Sequence, residues 1–218
     1  EHMDKIESEV QLPVSAKKLY DYMFGDDITV WESKNTASNG TNLRVDPWVN
    51  VEGKQQRTMK YILPVNNPMV KLKEAEVVET QIVQKKEDYI RYVVQISTKT
   101  AQLPYADAFV PSIRYCITWV NKSQCKLTCS MGVKFIKSVL VKGMISKAAL
   151  KGMGESLATF IPILQNEANK LAGNNKTATN DDSEKQSVAP VTNGTNGIPA
   201  AANATSSATS KDDDSLLG

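Results

Sequence analysis

Residues 6–12 alternate between apolar and polar, the pattern of a half-buried strand. Pro13 and Ser15 then open a helix over 15–24, with Leu19, Tyr22 and Met23 on one face. Gly25-Asp26-Asp27 breaks that helix. Residues 28–32 read as a loop or short second helix, and residues 34–42 as a loose segment. Strands are predicted over 43–51, 55–63, 72–85, 89–100, 109–120 and 126–135. Turn signals separate most of them: Glu52-Gly53, the stretch from Pro64 to Pro68, Lys86-Glu87-Asp88 and Asn121-Lys122-Ser123. Such short connections imply an antiparallel meander.

The last element is a long helix. Val141, Ile145, Ala148, Met153, Leu157, Phe160, Ile161, Leu164, Ala168 and Leu171 recur at helical spacing. It contains Gly143, Gly152, Gly154 and Pro162, which a helix serving only to pack does not need. They are expected to allow close backbone approach or a bend over a bulky ligand. Strand, helices, antiparallel strands and long terminal helix together predict an α+β helix-grip, a curved sheet around that helix with a cavity between them.

After Leu171 the composition changes. Residues 173–218 are rich in Asn, Thr, Ser, Ala and Gly and lack aromatics, so a disordered acidic linker is expected there. The segment holds three lysines against six acids, net −3, and the other 23 basic and 18 acidic residues give 1–172 a net +5. A moderately basic domain suits an anionic membrane surface, although solubilising charge explains the same balance. Lys134, Lys137, Lys142, Lys147 and Lys151, around the last helix, are the candidate membrane-surface residues. Glu1-His2-Met3 reads as a cloning remnant, which sets the expected folded domain at 4–172.

The chemistry of the side chains narrows the function. His2 is the only histidine, which leaves no His-based nucleophilic pair and no His-ligated metal site in the domain. Cys116, Cys125 and Cys129 fit no zinc spacing and read as small buried hydrophobes. Neither a P-loop nor GxGxxG is present. No cofactor, metal or nucleic-acid partner is expected, and the chain reads as non-enzymatic. No apolar run is long enough for a membrane span, so an anchor is expected outside these residues.

Several blocks share one resemblance. They are the run from Glu52-Gly53 through Arg57-Thr58-Met59 to Leu63-Pro64, then Asn67-Pro68-Met69-Val70-Lys71, and Glu79-Thr80-Gln81. Leu103-Pro104-Tyr105-Ala106-Asp107 follows, leading to Arg114-Tyr115. Last come Phe135-Ile136-Lys137-Ser138 and Lys142-Gly143-Met144-Ile145. In order and spacing they resemble the VASt domain, a START-like module of GRAM-domain proteins anchored in the endoplasmic reticulum at membrane contact sites. The resemblance implies a monomeric domain of a larger membrane-anchored protein, which binds a sterol of the ergosterol or cholesterol type and carries it between membranes without vesicles. A lipid-sensing or partner-binding module that holds a phospholipid without transfer, and a START-like enzyme, are the alternatives.

A sterol is a rigid apolar body with one hydroxyl, so its site should be an apolar tunnel with polar groups at one end. Alternation places candidate walls on the inner face of the strands: Tyr61; Tyr92 and Val94; Ile113, Tyr115 and Ile117; Met131 and Val133. Phe160 and Leu164 face them from the last helix. Ordinary core packing produces the same stripes. Arg114 falls on the opposite face and is not assigned to the ligand. Gly25, Ile28, Val30 and Trp31 form the candidate gate, an apolar tip after a flexible break; the other reading packs Trp31 down onto the sheet.

Overall fold

A computed structural model describes residues 2–65 and 71–180. Strand β1 (Lys5–Leu12) leads to helices α1 (Ala16–Phe24) and α2 (Thr29–Ala37). Strands β2 (Thr41–Val45), β3 (Val49–Val51), β4 (Lys54–Pro64), β5 (Glu74–Glu87), β6 (Arg91–Lys99), β7 (Phe109–Asn121) and β8 (Gln124–Phe135) follow, and α3 (Lys142–Asn180) comes last.

The strands form one antiparallel sheet in the order β1-β8-β7-β6-β5-β4-β2, with β3 also on β4. Register shifts interrupt the ladders at Ile6/Ser8, Thr41/Arg44, Val83/Lys85 and Trp119/Asn121. Each such irregularity bends its strand and adds twist. The α+β helix-grip expected from the pattern is what the chain forms, a curved sheet around a long terminal helix.

α1 begins where the Ser15 side chain accepts a hydrogen bond from Lys18 N. Its buried residues, Ala16, Leu19, Tyr20, Met23 and Phe24, recur at helical spacing and face the sheet. Its last carbonyls, orphaned by the end of the helix, are met by three side chains. Trp31 Nε1 donates to Met23 O at 2.6 Å, Trp48 Nε1 to Phe24 O at 3.0 Å, and Arg57 Nη1 to Gly25 O at 2.9 Å. Arg57 Nε also donates to Gln81 Oε1 at 2.8 Å, and its guanidinium lies 4.7 Å from the Trp48 ring centroid.

Two expectations about elements are corrected. Residues 34–37 belong to α2 rather than to a loose segment. Their polar composition hides the helix, which Asp27 starts by accepting from Thr29 N at 2.9 Å. α3 continues to Asn180, past the boundary expected at 172, because a nucleated helix extends at little cost. The rest of the expected linker, 181–218, lies outside the described residues, as do Asn67-Pro68-Met69-Val70. Met3, read as part of a cloning remnant, donates its N–H to Ser130 Oγ at 3.0 Å.

The core fills one half of the grip. Tyr20 stacks on Tyr92 at 4.4 Å, Phe24 meets Tyr115 edge-on at 6.2 Å, and Phe160 of α3 lies 5.1 Å from Trp31 and 6.1 Å from Tyr115. α1, packed on β6, β7 and β8, thereby plugs the half of the sheet where β1 ends and the hairpin turns at 88–90 and 121–123 lie, while α2 packs against β2 and α3.

Candidate functional site

The other half of the grip stays open. A cavity of about 630 Å³ lies between the first turns of α3, the inner ends of β4–β7 and the β6–β7 connection. Apolar walls come from Val77 and Ile113 on the sheet, Leu103 on the connection, and Val141, Ile145 and Met153 on α3. Its size falls within the roughly 300–1,000 Å³ of small-molecule sites. The exposed Tyr105 and Met144 also line it, which puts its mouth at their end. Register agrees: the ends of β4, β6 and β8 and the starts of β5 and β7 all lie at this pole.

Away from the mouth the cavity turns polar. Tyr61 on β4 and Glu79 on β5 both line it, and the Tyr61 hydroxyl donates to Glu79 Oε1 at 2.6 Å. Glu79 is 6% exposed, and Lys34 of α2, 7% exposed, lies 3.6 Å from the same oxygen. The Lys34 ammonium also sits over the rings of Trp31 and Phe160, at 5.4 and 5.5 Å. Burial and the neighbouring Glu79 raise the Tyr61 pKa well above the usual phenol value, so it stays a donor. Glu79 Oε2 is buried without a hydrogen-bond partner. That oxygen keeps unspent acceptor capacity, although the atom itself is closed off from the cavity space.

A side chamber of about 270 Å³ adjoins the cavity and shares Tyr61, Leu63, Gly152 and Ser156 with it. Asn35 lines it, and Asn35 Oδ1 is likewise buried without a partner. The expectation for Gly152 is corrected: a Cβ there meets nothing within 4 Å, so this glycine leaves space between the chambers rather than permitting close packing. Gly143 is equally open, a Cβ added at Gly154 would lie 3.1 Å from Glu7 Oε1, and α3 runs unbroken through Pro162, which sits on its solvent face.

Of the predicted wall residues, Tyr61 and Ile113 line the cavity. Tyr92, Val94, Tyr115, Ile117, Met131, Phe160 and Leu164 are instead buried core, because α1 and α2 cover that part of the inner face. Val133 is half-buried against the same core. The helix residues Val141, Ile145 and Met153 were visible in the apolar period of the last helix, and Leu103 and Tyr105 in the turn segment. Glu79 gave no signal, since a single carboxylate inside a strand reads as solvent-facing.

The gate expectation is corrected at three of its four positions. Val30 and Trp31 are core, 0% and 1% exposed, because α2 turns them inward onto Phe160 and the end of α1. Gly25 is clamped: its N–H donates to Asp21 O at 2.8 Å, its carbonyl accepts from Arg57, and an added Cβ would lie 2.3 Å from Asp21 O. Ile28, at the start of α2, is half-buried, as is Gly25. Arg114, on the outer half of β7, donates through Nη2 to Gln95 Oε1 at 2.8 Å.

The five lysines are all exposed. Lys137 pairs with Asp107, and the Lys142 ammonium lies 5.3 Å from the Phe135 ring centroid, both near the mouth. Lys134 stands at the same end of β8. Lys147 and Lys151 border a shallow groove with Lys5 and Glu7 on the β1 side of α3.

An antiparallel sheet gripping a terminal helix, with an apolar cavity of ligand size between them, defines a START-like lipid-binding domain. The chain belongs to the VAD1 Analog of StAR-related lipid transfer (VASt) domain family, whose sequence profile matches residues 6–152. A Schizosaccharomyces pombe protein described as an uncharacterized membrane protein is 26% identical over 184 residues, covering 81% of this chain and 24% of that protein. Human Protein Aster-A is 28% identical over 144 residues, covering 64% of this chain and 20% of Aster-A. The chain thus spans a quarter or less of these relatives. Among solved structures, a START superfamily protein from Mycobacterium smegmatis is 17% identical with a TM-score of 0.43, covering 75% of this chain and 96% of that one.

Proposed function

We propose that this domain binds one sterol in the cavity beside α3 and carries it between membranes. The observation that carries the reading is the pairing of an apolar cavity of about 630 Å³ with one orphaned acceptor, Glu79 Oε2, next to the Tyr61 hydroxyl, whose own hydrogen is given to Glu79 Oε1. A sterol offers a matching shape, a rigid apolar body with a single hydroxyl. The hydroxyl reaches Glu79 and Tyr61 while the rings and tail lie along Ile113, Val141 and Ile145 toward the mouth.

The lining supports a carrier rather than an enzyme. Among the described residues that line it, the one carboxylate, Glu79, is already engaged by Tyr61 and Lys34, and none is a histidine or cysteine. Family membership supports work on the cytosolic face of the endoplasmic reticulum at contact sites, as one domain of a larger anchored protein. Among the described residues no helix is long and apolar enough to cross a membrane.

Native mass spectrometry after incubation with mixed liposomes, followed by lipid extraction, tests this. A one-to-one sterol adduct is expected. A phospholipid adduct would replace the carrier with a phospholipid module, and a chemically altered lipid would point to an enzyme.

A further inference from the structure

The side chamber of about 270 Å³ lies between α2, β2, β4 and the middle of α3. Three side chains stand between it and the main cavity. Glu79 lines the main cavity, Lys34 lines the side chamber, and Tyr61 lines both. Lys34 Nζ and Glu79 Oε1 lie 3.6 Å apart across that partition.

The two spaces differ in chemistry. The main cavity is walled by apolar side chains, whereas the side chamber presents the Lys34 ammonium and the hydroxyls of Ser38, Ser156 and Thr159. Thr159 gives its hydrogen to Glu155 O at 3.2 Å, which leaves the hydroxyl oxygen as an acceptor. Lys34 can only donate. Glu155, the one carboxylate among the described lining residues, is exposed and pairs with Lys151 at 3.8 Å.

A glycine keeps the two spaces joined. Gly152 lines both, at a position inside α3 where alanine is the more stable choice. A Cβ there meets nothing within 4 Å, so the gap is wider than packing of the helix requires. Open space loses contacts on one side, and a polar lining calls for a polar occupant, either water or an oxygen of the ligand.

We propose that the side chamber is a subsite for a second oxygen on the lipid, so that the preferred ligands are sterols with a further hydroxyl on one of the two rings nearest the 3-hydroxyl. With the 3-hydroxyl at Tyr61 and Glu79, those rings lie beside Gly152. A hydroxyl projecting through the gap accepts from Lys34 and donates to Thr159, because a hydroxyl does both. A plain sterol leaves the chamber to water, whereas the second oxygen replaces that water with direct bonds. The inference rests on the carrier reading, which sets where the sterol head lies.

Competition binding of a fluorescent sterol to the 218-residue chain tests it, with cholesterol and its 4β-, 7β- and 25-hydroxy derivatives as competitors. At least one of the two ring isomers should bind about tenfold more tightly than cholesterol. The 25-hydroxy isomer, whose extra hydroxyl lies on the tail toward the mouth, should stay within about threefold of cholesterol. Thr159→Phe places a ring in the side chamber at a position that does not line the main cavity. It should bring the ratio of the two affinities, ring isomer to cholesterol, to about one. Ser38→Ala/Thr159→Val, a smaller change, should lower that ratio at least threefold, and urea midpoints report whether each variant folds. Ring isomers no tighter than cholesterol would mean that the chamber holds water only, overturning the proposal while the carrier reading stands. An equal gain for the 25-hydroxy isomer, or an unchanged ratio in both variants, would overturn it as well. Failure of every sterol to bind would overturn the carrier reading and this proposal together.

Discussion

The Tyr61 hydroxyl donates to Glu79 Oε1 at 2.6 Å, and the other oxygen of that carboxylate has no hydrogen-bond partner. Lys34, 3.6 Å from Oε1, supplies the countercharge inside the protein. Breaking a buried pair from one side leaves the other charge uncompensated, at about 3–5 kcal/mol. Glu79→Leu should therefore lower the unfolding free energy by about that amount. Glu79→Leu/Lys34→Met should recover most of it. Tyr61→Phe should cost only about 1–2 kcal/mol, the loss of one donor. Urea denaturation of the four proteins checks the pattern; additive losses in the double variant would show that the pair is not coupled.

Val30 separates a core α2 from a mobile gate. It is 0% exposed, so Val30→Asp buries a carboxylate with no partner and should cost several kcal/mol of stability. Ile28→Asp, at a half-buried position, should cost much less. The urea midpoints of the two variants provide the check, and a Val30→Asp protein as stable as wild type would restore the gate.

Gly152 predicts opposite signs for stability and binding. It lies within α3, where a non-glycine residue gains roughly 0.5–1 kcal/mol, and an added Cβ meets nothing. Gly152→Leu should raise the thermal midpoint slightly while its side chain enters the space shared by the two chambers. Lipid uptake should fall at least tenfold. Unchanged uptake would place the bound lipid elsewhere.

The buried thiols set the alkaline limit. Burial pushes Cys125 and Cys129 up to about 12 from an ordinary 9.0. The folded chain holds these protons to higher pH than the unfolded chain, so their contribution is complete below about 9 and is lost as pH rises toward 12. Tyr20 and Tyr22, also raised to about 12 by burial, act in the same direction above their ordinary 10.0. Urea midpoints should fall steadily over that range. Iodoacetamide at pH near 8 should label both cysteines only at the rate of unfolding.

Most strands and the last helix were legible because their apolar periods are long and uninterrupted. α2 was not, because its core contribution is Val30, Trp31 and the stem of Lys34, and its docking depends on the carbonyl at Met23, which is a tertiary partner. The cavity was misplaced for a related reason. Alternation shows that Tyr92, Tyr115 and Ile117 face inward, but not that Tyr20, Phe24 and Trp31 fill the space above them. Glu79 was illegible because a carboxylate turned inward depends on Lys34 and Tyr61, both distant in sequence.

The proposed sterol hydroxyl sits at Tyr61 and Glu79, and competition binding of a sterol against its 3-deoxy analogue measures that contact directly. A hydrogen bond to a charged group contributes about 1.5–3 kcal/mol, so the sterol should bind roughly tenfold to a hundredfold more tightly. The preference should vanish in Glu79→Leu/Lys34→Met. Equal affinity of the two ligands for the wild-type protein would show that Tyr61 and Glu79 do not hold the hydroxyl.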